Sequence, residues 1–205
     1  MRVLRALSAS LLILAAGVAV LAHATDGFSA YTTETARRLD VQRHPRAVPD
    51  VALQSTDGTE IRFDSLRGRW VLVDFIYTRC LTYCTILGTN FARLQTSLAK
   101  PIAEQKVALL SISFDPTHDG PAQLAAYQQR FGDSGTGWIA ARPRSTAALD
   151  SLTHTFGITA IPDGYGGFVH NAAIDVVSPD GRLVAVLDWS DPAIAARFIT
   201  AQLTP

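Results

Sequence analysis

The chain has 205 residues, 48% of them hydrophobic and 18% charged, with a formal net charge of zero. That length and composition suit one compact domain with a real core. Lys100 and Lys106 are the only lysines, and the balanced charge gives no sign of a nucleic-acid partner.

The N-terminus reads as a targeting segment. Arg2 and Arg5 precede an uncharged apolar run from Leu7 to Ala22, and Ala22-His23-Ala24 has the small-x-small form of a signal-peptidase site. This is the order of an export signal. The run is slightly short of the roughly 20 apolar residues that span a membrane. Residues 1–24 are therefore expected to be a signal peptide or an anchor, with cleavage after Ala24 preferred. Either way the protein is exported, to the periplasm or to a membrane surface facing it. Residues 25–48 are polar, with Thr32-Thr33-Glu34-Thr35 and Arg43-His44-Pro45-Arg46, and read as a linker or loosely attached arm. The domain proper is expected at 49–205.

Val51-Ala52-Leu53 and Glu60-Ile61-Arg62-Phe63 flank Thr56-Asp57-Gly58, a hairpin signal. Trp70 to Tyr77 is apolar enough for a buried strand. Leu87, Phe91, Leu94 and Leu98 then give a helical pattern that should end near Lys100-Pro101. Val107 to Phe114 is a second buried strand, closed by Asp115-Pro116. A helix is expected from Pro121 to Gly132, and another from about Ser145 to Phe156, capped by Gly157. Val169–Ser178 and Leu183–Leu187 read as a hairpin around Pro179-Asp180-Gly181. Asp191 should cap a last helix that opens with Pro192. The predicted class is α/β, a thioredoxin-like fold with an N-terminal β-hairpin and an inserted loop before the closing hairpin. Ligands in such a sheet sit at the strand C-terminal ends.

The only two cysteines, Cys80 and Cys84, lie at one of those ends, where a strand hands over to a helix. If the turn is helical, residues four apart share a face, and the helix N-terminus favours thiolate. Paired thiolates can close a disulfide or hold a soft metal ion. A purely structural staple is disfavoured, because a bridge over so short a loop removes little chain entropy.

Among the histidines, His170 follows the glycine-rich Gly164-Tyr165-Gly166-Gly167 and opens the apolar stretch Ala172–Val177. The loop can bring it beside the cysteine turn, and two thiolates with one imidazole suit Cu(I), or Cu(II) with a further ligand. A polar residue at a strand start is the competing reading. His118, in the loop at the end of the second buried strand, could support the site, but an ordinary loop residue is the preferred reading. His154 and His44 read as surface or linker residues. Zinc would need four converging protein ligands, and blue copper often adds an axial methionine, whereas Met1 is the sole methionine. Asp74 lies within an apolar strand, six residues before Cys80. A desolvated carboxyl has a raised pKa and can exchange a proton with a thiol. A partly exposed or hydrogen-bonded acid is the alternative.

Together these segments resemble the Sco/SenC family of copper chaperones for cytochrome c oxidase assembly, over roughly residues 45–203. The resemblance rests on Gly68-Arg69-Trp70-Val71-Leu72-Val73, Tyr77-Thr78-Arg79-Cys80 with Cys84, Ser111-Ile112-Ser113-Phe114-Asp115-Pro116 with Asp119, and His170 followed by Pro179-Asp180-Gly181. It implies Cys80, Cys84 and His170 as copper ligands; beside that, the residues themselves suggest a redox-active Cys80–Cys84 pair, with Asp74, Asp115 and His118 as candidate neighbours of the ligands. The resemblance implies copper, as Cu(I) or Cu(II), as the bound metal, with a metallochaperone role in place of an enzymatic one. The client would be the copper-bearing subunit of cytochrome c oxidase or another copper protein. Two positions depart from the family pattern: Leu81 and Thr85 stand where proline is usual. Phe156-Gly157-Ile158-Thr159-Ala160-Ile161-Pro162 and Asp74-Phe75 also look like thioredoxin, which keeps open a metal-free thiol–disulfide oxidoreductase. A copper sensor or buffer is a third reading. Mass spectrometry of the mature protein is expected to find a first residue near Thr25. Intact residues 1–24 on membrane-extracted protein would instead establish an anchored form.

Overall fold

The structure is a computed structural model, and it describes residues 2–80, 83–132 and 137–204; the side chains of Tyr83 and Cys84 lie outside that description. Helix α1 (Arg2–Ala24) buries none of its residues and is long and apolar enough to cross a membrane. Then come α2 (Thr33–Arg43), β1 (Arg46–Ala47), β2 (Ala52–Ser55), β3 (Glu60–Arg62) and β4 (Trp70–Ile76). Helices α3 (Tyr83–Ser97) and α4 (Ala99–Ala103) lead to β5 (Val107–Ser113), α5 (Pro121–Arg130), β6 (Trp138–Pro143) and α6 (Thr146–Phe156). The chain closes with β7 (Ala160–Pro162), β8 (Phe168–His170), β9 (Ile174–Val177), β10 (Arg182–Leu187) and α7 (Pro192–Leu203).

Eight strands form one sheet in the order β1-β10-β9-β4-β5-β6-β2-β3, and β7 pairs with β8 apart from it. The centre is parallel: β4 runs with β5 from Trp70↔Val107 to Ile76↔Ser113, and β5 with β6. Every residue of β5 is buried, as is all of β4 but Trp70, the pattern of strands covered on both faces. Alternation divides those faces. Trp70 meets Phe198 of α7, whereas Phe75, five residues on, meets Phe156 of α6. Helix ends follow their signals. Ser145 caps α6 through Ala148 N, Asp191 caps α7 through Ala193 N, and Gly157 closes α6 at φ 68°.

Three features differ from the sequence reading. Strand β6 was not expected, because Trp138-Ile139-Ala140-Ala141 is short and runs into Arg142-Pro143. It joins the N-terminal hairpin to the sheet, pairing with β5 on one side and β2 on the other. Val169–Ser178 is not one strand. Asn171 gives its side-chain oxygen to Thr159 N at 2.8 Å and its amide to Gly157 O at 3.0 Å. That holds β8 on β7, and the chain rejoins the sheet only at β9. The inserted loop is thus a small hairpin.

The third difference is α2, read from sequence as part of a linker. Its Val41 is fully buried, and its Arg37, with the side chain 8% exposed, meets the buried Asp175 at 3.3 Å. A buried acid in β9 supplies the reason a polar segment folds onto the sheet.

Asp175 has a buried companion. Val73 pairs directly with Asp175, so neighbouring Asp74 points to the opposite face. Asp74 lies opposite Ser111 on β5, whose hydroxyl accepts from Trp138 Nε1 at 2.9 Å. Among the described residues neither Asp74 oxygen has a hydrogen-bond partner of good geometry. Burial pushes its carboxyl up to about 8, Ser111 opposing and the Asp175 charge adding. Burial raises Asp175 to about 7, against the pull of Arg37. Both acids titrate near about 4 when unfolded. The folded state therefore keeps protons that the unfolded chain has released, and stability falls as pH rises from about 4 to about 8. Asp74→Asn removes one such group. The parent is expected to lose up to about 1.4 kcal/mol per pH unit relative to this variant between about pH 5 and 8. Urea unfolding across that range measures the difference; a difference independent of pH would contradict a neutral buried Asp74.

Candidate metal site

The register of β4 on β5 delivers two chain segments to one edge. After β4 comes Tyr77-Thr78-Arg79-Cys80; after β5 comes Phe114-Asp115-Pro116-Thr117-His118-Asp119. Phe114 N donates to Ile76 O at 3.0 Å, extending the pairing past the strand ends.

The second segment fastens the first. Asp119 is fully buried and accepts from Thr78 N at 3.0 Å, Thr78 Oγ1 at 2.6 Å and Ser113 Oγ at 2.6 Å. Asp115 accepts from Arg79 Nη2 at 2.7 Å and lies 2.8 Å from His118 Nδ1. Burial works to raise the Asp115 pKa, but the bonds from His118, Arg79 and Thr117 outweigh it and hold the carboxyl below its ordinary value. A carboxylate tying Thr78 and another tying Arg79 fix the backbone immediately before Cys80. Cys80 N in turn donates to Tyr77 O at 3.2 Å, and Cys80 is 4% exposed.

Helix α3 opens at Tyr83. Cys80 itself lies ahead of the helix, in the turn after β4. Leu81, Thr82, the Cys84 side chain and the Cys80–Cys84 pairing lie outside the described residues.

His170 comes to the same edge. Hairpin β7–β8, with Ala160 opposite His170, folds over the strand ends. The imidazole centroid is 5.0 Å from the Phe114 ring and 5.8 Å from the Tyr77 ring. Phe168 packs on both rings at 5.3 Å. Four rings therefore form a platform directly beside the turn that holds Cys80. His170 Nδ1 lies 2.9 Å from Asn171 O. A carbonyl only accepts, so Nδ1 carries a hydrogen, and in the neutral ring that leaves the lone pair on Nε2. That is the tautomer that presents Nε2 to a metal. A buried cysteine sulfur and an imidazole so oriented suit a soft or borderline ion.

The other candidates fall elsewhere. His118 is bound to Asp115 and 56% exposed at its side chain, part of the turn's support. His154 lies exposed on α6, and His44 is exposed beside Asp40. Asp74 belongs to the sheet interior, in the strand leading to the turn. Sequence reasoning had not singled out the aromatic platform of Tyr77, Phe114 and Phe168, or the anchoring bonds of Asp119. The signal was available in the short polar residues Thr78, Ser113 and Asp119 that cluster where two buried strands end.

Comparison with known proteins accords with this geometry. The family model for SCO1/SenC matches residues 40–203. The SCO1 homologue of Bacillus subtilis is 28% identical over 139 residues, 67% of this chain and 71% of that protein. ScoI of Bradyrhizobium japonicum, solved with copper bound, is similar in fold with a TM-score of 0.66 at 24% identity, covering 77% of this chain and 99% of that one. BsSco belongs to the Sco family of cytochrome c oxidase assembly proteins, and a disulfide switch has been identified in it. It gives a TM-score of 0.66 at 25% identity over 77% of this chain and 94% of its own. The fold is the expected thioredoxin-like α/β one, and the chain belongs to the SCO1/SenC family.

Proposed function

We propose that this protein is an exported Sco-type copper chaperone that takes up copper on Cys80, Cys84 and His170 and passes it to the copper-bearing subunit of cytochrome c oxidase. The observation that carries this reading is the return of His170 to the rings of Tyr77 and Phe114, beside the Cys80 turn, with Nε2 holding the lone pair. Copper is cargo here, so the site must release it as well as bind it. A thiol pair provides that control. As dithiol it offers two soft donors; as disulfide it offers no thiolate, and the ion leaves. The apolar α1 supports export, either as a signal removed after Ala24 or as an anchor that keeps the domain at the membrane.

A second reading has its own support. Asp74 is buried and protonated near neutral pH, in the strand that leads to Cys80. A thiol–disulfide oxidoreductase without metal would use such a proton source. It would reduce a client disulfide to two thiols while Cys80 and Cys84 close into one, two electrons and two hydrogens passing together.

Copper titration of the reduced protein, the oxidised protein and a His170→Ala variant separates the two. The reduced parent is expected to bind one copper and the oxidised form none. Two thiolates can hold Cu(I) nearly linearly, so His170→Ala should leave Cu(I) affinity close to the parent's. Cu(II), which wants nitrogen or oxygen donors, should lose at least about tenfold. His118→Ala and His154→Ala should change little. Equal copper on oxidised protein, or a His170→Ala variant that binds both ions like the parent, would move the metal-free reading ahead.

A further inference from the structure

The excursion that carries His170 leaves the body of the protein at Gly157, after α6, and rejoins it at β9. One side chain from outside the excursion holds both of its stems. Arg37 of α2 donates Nη1 to Phe156 O, the last residue of α6, and the same nitrogen lies 3.3 Å from Asp175 Oδ1 in β9. Glu34 takes Nε and Nη2, each at 3.0 Å, which fixes the guanidinium in one orientation. The stem passes close over the point where the excursion turns away. Gly157 adopts φ +68°, and a Cβ there would lie 2.8 Å from Arg37 Cδ. Between the stems the excursion secures itself through Asn171, which bonds Thr159 and Gly157. The hairpin is received at the cysteine turn by the packing of His170 on Tyr77 and Phe114 and by Phe168 N donating to Tyr77 Oη at 3.5 Å, and the stems set the angle at which it arrives.

We infer that Arg37 is a positioning residue for His170: by pinning Phe156 and Asp175 together, it sets the approach of the β7–β8 hairpin to the Cys80 turn. The inference rests on the reading of His170 as a copper ligand. Helix α2 then has a role at the site even though most of it precedes the stretch matched by the family model. Arg46 supplies the contrast. It donates to Thr155 O at 2.9 Å, one residue before Phe156, but its other bond goes back to Asp40 on the α2 side. It caps α6 without gripping β9.

The test pairs Arg37→Met with Arg46→Ala, and adds Asp175→Asn at about pH 8, where Asp175 is ionised in the parent, in case Arg37→Met does not fold. In metal-free reduced protein, NMR of the His170 ring reports its packing on Tyr77 and Phe114. Arg37→Met is expected to shift those signals toward unstructured values, Asp175→Asn to shift them the same way by less, and Arg46→Ala to leave them in place. Copper then gives a double-mutant cycle. Arg37→Met should weaken Cu(II) about fivefold in the parent and leave it unchanged when His170→Ala is also present. Cu(I) affinity should hold in both. His170 signals and Cu(II) affinity that stay at parent values in folded Arg37→Met, or in Asp175→Asn if Arg37→Met does not fold, would overturn the inference. If His170→Ala alone leaves Cu(II) binding intact, the ligand reading falls, while the metal-free NMR comparison still decides the positioning role.

Discussion

The in-register parallel pairing of β4 with β5 is the constraint on which the rest of the site depends. It ends both strands at one level, so that the loop after β5 can reach the turn after β4. Asp119 and Asp115 exploit that proximity, one gripping Thr78 and the other Arg79. The turn bearing Cys80 needs such external support. Its backbone is irregular, and α3 begins only after it. Hydrogen bonds to a buried carboxylate are among the stronger ones available to a protein, and here they are spent on the residues just ahead of the thiol.

The polar groups inside the sheet divide into two kinds. Asp119 and Asp115 are satisfied and serve the turn. Asp74 and Asp175 are desolvated and raised in pKa, one on each face of the sheet. Asp175 explains why α2 docks, since Arg37 supplies the charge that a buried carboxylate otherwise lacks. Asp74 is the less stable arrangement, kept neutral by burial. A fold optimised for stability alone would put an apolar residue there.

Much of the fold was legible in the sequence. The runs Trp70–Tyr77 and Val107–Phe114 are apolar throughout, and Ser145, Gly157, Asp191 and Pro192 mark their helix ends by known local chemistry. What escaped were features fixed by tertiary partners. Strand β6 has only four consecutive apolar residues before Arg142-Pro143, and becomes a strand because β5 and β2 flank it. Helix α2 has a polar composition and docks through buried Val41 and through Arg37, which reaches Asp175 and Phe156 O. The break between β8 and β9 depends on Asn171 bonding back to Gly157 and Thr159. At the site, His170 stood out by its glycine-rich approach, but the rings that receive it, Tyr77, Phe114 and Phe168, come from three separate segments. Linear spacing carries no signal for such a platform.

A hairpin outside the main sheet returns His170 to the cysteine turn, and the proposed function requires that this completes a copper site. X-ray absorption at the copper edge, on reduced protein loaded with Cu(II), tests it most directly. The account predicts two sulfur scatterers and the outer-shell pattern of one imidazole, with the imidazole pattern lost in His170→Ala. An imidazole pattern that persists in His170→Ala, or its absence from the parent, would contradict it.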